Sequence, residues 1–287
     1  PDMGPNTDDL EEQSGQGIYF QDQVNLSDNW KAMFGLRYDQ FEQNITTSDT
    51  TSTSKSYINP RLGLVYTLSD EARIYTSYSE GARPNSGTNS YEMGVKWDFS
   101  EHGFSGTAAV FTTEKSNILA SSPNGDGTTE ALGEATSEGF EFDMSYRPTS
   151  DTLISMSYAY VDAKNAKEIT LWDWYVIDDG ARLGNVPEHS GSIMVRQFSE
   201  FAGHEGSAGF VVQYIGEQLG DFLEQDFDLP SYTLVNLFAN VALSDKLDLN
   251  VNIDNLLDEE YYANSYFEAW TMPGAPRSIK ASVKYSF

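Results

Sequence analysis

At the end of the chain Ile279, Ala281, Val283, Tyr285 and Phe287 hold one parity, while Ser278, Lys280, Ser282, Lys284 and Ser286 hold the other. Successive side chains of a strand point to opposite faces, so this segment has one apolar and one polar face. Leu247, Leu249, Val251 and Ile253 against Asp248, Asn250, Asn252 and Asp254 repeat the pattern, as do Ala32, Phe34, Leu36 and Tyr38 against Lys31, Arg37 and Asp39. Between such segments lie short turns at 27–29, 69–71, 100–103, 148–151 and 244–246, and an atypical turn containing Gly203 and Gly206. They alternate with long stretches lacking periodicity, notably 44–54, the region of Gly125 and Gly127, 163–185 and 217–229. The pattern predicts about thirteen strands in an all-β, up-and-down antiparallel meander. Residues 1–14 read as a loop and residues 15–287 as the sheet.

Several of these strands exceed ten residues, against a usual length of about 5–6. Their apolar parity carries Trp30, Tyr38, Tyr91, Trp97, Tyr146 and Tyr285 near strand ends, the placement expected of aromatic girdles at membrane interfaces. A transmembrane β-barrel is therefore expected, its polar parity facing the lumen. A soluble sandwich, with the same aromatics in its core, is the alternative.

Composition narrows this. With 17 Tyr and 16 Phe the chain is 13% aromatic, yet its mean hydropathy is −0.46. No run approaches the roughly 18 apolar residues of a membrane helix, whereas a barrel strand needs only about 9–11. The chain opens at Pro1 with no basic or apolar leader pattern, so an export signal is expected upstream. The absence of Cys removes disulfides, zinc–thiolate sites and thiol nucleophiles. A net charge of −27, from 44 acidic and 17 basic residues, opposes nucleic-acid binding.

One stretch is more specific. Asn255-Leu-Leu-Asp258, the Tyr261-Tyr262 pair, an aromatic loop, Met272-Pro-Gly-Ala-Pro-Arg277 and the terminal aromatic strand together resemble the end of a TonB-dependent outer-membrane receptor. Gly35-Leu-Arg-Tyr-Asp39, Pro60-Arg-Leu-Gly63, Tyr75-Thr-Ser-Tyr-Ser-Glu80, Tyr91-Glu-Met-Gly-Val-Lys96, Glu138-Gly-Phe-Glu-Phe142 and Val186-Pro-Glu-His189 resemble successive strands of siderophore receptors, in order. The resemblance, ferrichrome-type in character, implies energy-coupled import of a ferric siderophore across the outer membrane of a Gram-negative bacterium, through a 22-stranded barrel. It further implies a plug domain bearing the TonB-binding segment, which this chain lacks. The chain is thus expected to be the carboxy-terminal part of a longer protein, its first strand needing an upstream neighbour. The alternatives are a structural or adhesive outer-membrane β-barrel and a secreted acidic β domain.

Candidate chemistry lies in the long loops. Trp172, Trp174 and Tyr175 form one aromatic cluster and Tyr266, Phe267 and Trp270 another, suited to a bulky, partly apolar chelate or to packing loops together. Tyr266 resembles a siderophore-contacting aromatic of ferrichrome-type receptors, and Arg83 is expected at the same mouth. Asp221, Glu224, Asp226 and Asp228 lie in a loop without a base and read as a solvated acidic loop rather than a calcium site. With Asp173, Asp178 and Asp179 they favour a neutral or cationic, hydroxamate-like chelate over an anionic catecholate. His102, His189 and His204 are too scattered for a metal or catalytic site, so neither an enzyme nor a resident cofactor is expected.

Overall fold

The computed structural model describes residues 10–46, 50–83, 86–121, 129–171, 175–221 and 224–287. The strands are β1 (Leu10–Asn25), β2 (Trp30–Thr46), β3 (Thr50–Thr67), β4 (Ala72–Arg83), β5 (Ser86–Phe99), β6 (Phe104–Ser121), β7 (Thr129–Thr149) and β8 (Thr152–Asn165). Next come β9 (Ile169–Leu171), β10 (Tyr175–Ile177), β11 (His189–Phe201), β12 (His204–Ile215), β13 (Gln218–Leu219), β14 (Asp228–Leu229), β15 (Tyr232–Ser244), β16 (Leu247–Asp254), β17 (Tyr262–Ser265), β18 (Thr271–Pro273) and β19 (Ser278–Tyr285). Thirteen of them form one sheet in the order β1-β2-β3-β4-β5-β6-β7-β8-β11-β12-β15-β16-β19, and the other six pair into three small hairpins.

Every pairing in the large sheet is antiparallel between neighbours, so alternate connections share a rim. The short turns near Asn29, Asp70, Asp151 and Asp245 occupy one rim and the loops bearing the hairpins the other, as loop-length alternation predicted. The turn expected to contain Gly203 and Gly206 is tighter than that. Phe201 pairs with His204 across Ala202 and Gly203, both with positive φ, the geometry of a two-residue hairpin, while Gly206 lies within β12.

Strand ends differ from expectation on the opposite rim. β2 runs to Thr46 and β3 begins at Thr50, inside the stretch 44–54 expected as a loop, and β1 starts at Leu10, inside the expected loop 1–14. β6 and β7 reach 18 and 21 residues, well beyond the roughly 9–11 that cross a membrane. The extensions are rich in Thr, Ser, Gln and Glu on both parities, so no alternation marks them as strand.

Exposure separates a membrane wall from a sandwich. Phe34 is 45% exposed, Ile58 61%, Met93 55% and Val283 64%. The accessible surface is 18590 Å², against about 12,000 Å² for a globular monomer of this mass. The apolar parity is thus not buried against a second sheet, and hydrocarbon is the environment that makes its exposure favourable. Asp22 is an exception on that parity, opposite Phe34; its Oδ1 accepts from the Gln23 amide. The other parity is polar, with Asp39 only 6% exposed between Arg37 and Asn59. No hydrogen-bonded pairing joins β1 to β19 among the described residues, so the wall has two edges.

Candidate functional site: the interlocked loops

The residues that carry the family resemblance perform architecture. Asn255 is 3% exposed with φ 51°, a conformation Asn tolerates better than most residues. Its Nδ2 donates to the carbonyls of Glu259 (2.9 Å) and Ala275 (3.2 Å), its Oδ1 accepts from the Glu259 amide (2.9 Å), and its own amide donates to Asn236 Oδ1 (2.8 Å). Asp258 Oδ1 accepts from the Arg277 amide, and Arg277 Nη1 donates to the Leu256 carbonyl. Gly274 is required by close approach, since a Cβ there would lie 2.1 Å from the Tyr261 ring, which packs on Tyr232 at 4.4 Å. The motif therefore ties the strand end, the loop exit and β19 into one clamp.

Beyond the clamp, loops 166–188, 216–231 and 255–277 lock together. Asn185 Nδ2 donates to the Ser265 carbonyl (2.7 Å) and its Oδ1 accepts from the Ser265 amide (2.8 Å), while its backbone amide reaches the Leu219 carbonyl (2.8 Å). The side chain thus imitates a strand towards Ser265, and the backbone amide of the same residue adds the third loop. Gln218 donates to the Ala263 carbonyl, and Arg182 pairs with Asp228 and exchanges hydrogen bonds with Gln225. Leu219 and Leu229 are each 1% exposed and are the largest fully buried side chains described; Ile169 and Ile177 form a second small core with Leu171, Tyr175 and Ala181.

On this platform Tyr266, Phe267 and Trp270 crown the hairpin of β17 and β18. Their ring centroids lie 5.5, 5.9 and 6.4 Å apart in edge-on arrangements, and Tyr266 and Trp270 remain 59% exposed. The Tyr266 amide donates to the Trp270 carbonyl and the Trp270 amide to the Phe267 carbonyl, which closes the tip. Asp221 Oδ2 accepts from the Glu268 amide within that tip (3.0 Å). The pKa of Tyr175 is raised, first by burial and then by the charges of Asp221, Glu224 and Asp178. Asp221 thus holds the aromatic tip through Glu268, and its charge acts on Tyr175.

One expectation changes. The acidic loop is not a solvated run, because Asp221 is 5% exposed and Asp228 is paired with Arg182, a base from another loop. No cluster of three metal-ligating side chains occurs among the described residues. Trp172 and Trp174 lie outside the described residues, as does Asp173; Arg83 ends β4 at the loop-bearing rim, and its side chain is likewise outside them. Sequence reasoning missed Asn185 and Gln218, whose partners are distant in the chain. His189 shares a hydrogen bond with Tyr158 on the lipid-facing parity.

Comparison with known proteins agrees with this architecture. Residues 1–256 match the family model described as TonB dependent receptor-like, beta-barrel. The metal-pseudopaline receptor CntO of Pseudomonas aeruginosa strain UCBPP-PA14 is 33% identical over 100% of this chain and 43% of its own length. The ferrichrome outer membrane transporter/phage receptor of Escherichia coli K12 is 26% identical over 97% of this chain and 39% of its own. The crystal structure of the siderophore receptor PiuA from Acinetobacter baumannii superposes with a TM-score of 0.82 at 24% identity, over 96% of this chain and 43% of that one. The chain thus spans less than half the length of these relatives, which are receptors and transporters rather than enzymes. Its strand order, its lipid-exposed apolar parity and these matches together place it in the TonB-dependent receptor β-barrel family, in the outer membrane of a Gram-negative bacterium.

Proposed function

We propose that the chain forms part of a receptor that captures a metal–siderophore chelate, a ferric siderophore above all, and imports it with energy delivered by TonB through a plug domain. The supporting observation is the aromatic tip, Tyr266, Phe267 and Trp270, held on three interlocked loops beside Tyr175. Exposed aromatic rings on a rigid base contact a large chelate at low entropic cost, since the platform is ordered before binding. Trp172, Trp174 and Arg83 complete the proposed mouth by their positions in the chain.

Charge bears on the class of chelate. Asp228 is neutralised by Arg182, so the field at the mouth comes from Asp221, Asp178, Asp179, Glu224 and Asp226. These still disfavour a triply negative catecholate, and a neutral or cationic hydroxamate-like chelate is preferred. Titration of the whole receptor with a ferric hydroxamate and with a ferric tris-catecholate at low salt tests this. Tighter binding of the hydroxamate, weakened about tenfold in Trp270→Ala, about 1.4 kcal/mol, is expected. Binding of the catecholate alone reverses the chelate class, and binding of neither removes the siderophore reading.

A further inference from the structure

On the loop-bearing rim the wall is not joined throughout. The ladder between β3 and β4 runs from Thr67↔Arg73 only to Arg61↔Ser79, although β3 continues to Thr50 and β4 to Arg83. It stops at Pro60, which has no amide hydrogen to offer a neighbour. The Thr67 amide donates to the Asn29 carbonyl and the Leu68 amide to the Ala72 carbonyl, so odd residues of β3 address β2 and even residues address β4. Beyond Pro60 the even set is Ile58, Ser56, Ser54 and Ser52, whose amides and carbonyls meet no second strand among the described residues. The β4–β5 hairpin closes at Arg83↔Ser86, level with Tyr57 if the β3–β4 register is continued, whereas its neighbours extend to Thr46↔Thr50 and Ser121↔Thr129. A short hairpin between two tall ones leaves a notch three strand spacings wide, about 14 Å, which is room for two strands.

Unpaired strand edges are costly in hydrocarbon, so the notch opens to water, and residues 52–56 are all exposed. The side chains around it divide by charge. On the outward parity stand Glu42 opposite Ser54, Glu114 opposite Asn89, and Glu80, which accepts from the Tyr78 hydroxyl. On the parity facing the mouth stand Lys55 opposite Phe41 and Lys115 opposite Thr88. None of the five forms an ion pair among the described residues. Donors and acceptors that recur at every second residue, about 6.8 Å apart, match the backbone of another extended strand and neither a lipid nor a chelate. We infer that the β3 edge from Ser52 to Ile58 is a strand-addition site for an extended polypeptide segment at the cell surface, with bases on its outward side and acids on the side facing the mouth. The small Ser side chains along the edge let that backbone come close, and the two rows of charge set which way its side chains face. The inference is independent of the chelate and needs only the membrane wall.

Amide hydrogen exchange at single-residue resolution, on the whole receptor in lipid nanodiscs with and without a synthetic peptide of alternating Lys and Glu, tests this. In the free receptor the amides of Ser52, Ser54, Ser56 and Ile58 should exchange fast, and those of Thr53 and Lys55, directed at β2, slowly. The peptide should slow the even set about tenfold, less so at high salt. N-methylation of its Lys residues, whose amides face β3 when Lys points outward, should abolish the slowing, whereas N-methylation of its Glu residues should not. Ser56→Pro removes an amide that points away from β2, so the barrel should still assemble while the peptide no longer protects Ser54 and Ile58. Three results overturn the inference: even amides already slow in the free receptor, no slowing by the peptide, or equal slowing by the peptide methylated at Lys. A receptor that binds no siderophore yet shows the expected protection keeps the strand-addition site and loses only the chelate reading.

Discussion

The wall and the loop cluster are built on opposite principles. In the wall, Phe34, Leu62, Met93 and Val283 remain open on the outer face, and cohesion comes from backbone ladders with hydrocarbon as the outer solvent. In the loops, Leu219, Leu229, Ile169 and Ile177 are buried, and Asn185, Gln218 and Asp221 satisfy distant backbone groups. The part of the molecule that resembles a soluble core is thus the part that carries the aromatic tip. A wall that relies on lipid does not need a core, whereas long loops that must present aromatic rings in a fixed place do.

The comparison breaks most sharply at the clamp that joins the two regions. Asn255→Ala removes three side-chain hydrogen bonds and leaves a positive φ to a residue that resists it, so about 3–4 kcal/mol of stability should be lost, read as a lower unfolding midpoint in detergent. Next comes the wall: Phe34→Arg places a charge on the lipid face and should cost about 2–4 kcal/mol, while Ser282→Arg on the lumenal face of β19 should cost far less. Equal costs would mean that the two faces are not distinguished by lipid. In the loops, Arg182→Ala leaves Asp228 unpaired and should cost about 1 kcal/mol, with faster proteolysis of 216–231.

The smallest effect is a titration. The Tyr175 pKa is raised above its usual 10.0 by burial and by Asp221, Glu224 and Asp178. The neutral phenol is therefore favoured in the folded loops. Its contribution is complete below the unfolded value and falls as pH rises through the folded one, so loop order should decline on the alkaline side of pH 10. Tyr175→Phe should remove that part of the alkaline dependence.

The wall was legible where one parity meets lipid and the other does not, as in β16 and β19. It was illegible where strands leave the membrane: 50–54 are polar on both faces and Ile45 stands alone between Asn44 and Thr46, so period two vanishes although the ladder continues from Thr46↔Thr50 onward. The aromatic tip was visible as Tyr266, Phe267 and Trp270 because rings in an aperiodic segment stand out. Its support was not, because Asn185 reaches Ser265 and Arg182 reaches Asp228 across long sequence separations. Charge counting in one loop cannot register a base that arrives from another.

The central claim is that the three loops act as one preorganised unit that positions the aromatic tip. Asn185→Ala tests it most directly, because it removes both side-chain hydrogen bonds that tie loop 166–188 to Ser265 in loop 255–277 and Asn185 is no part of the proposed contact set. In the whole receptor, calorimetric titration with a ferric hydroxamate should show a several-fold weaker affinity, with a more unfavourable binding entropy as the loops order on contact. Unchanged affinity and entropy in a variant whose loops exchange amide hydrogens faster would contradict the account.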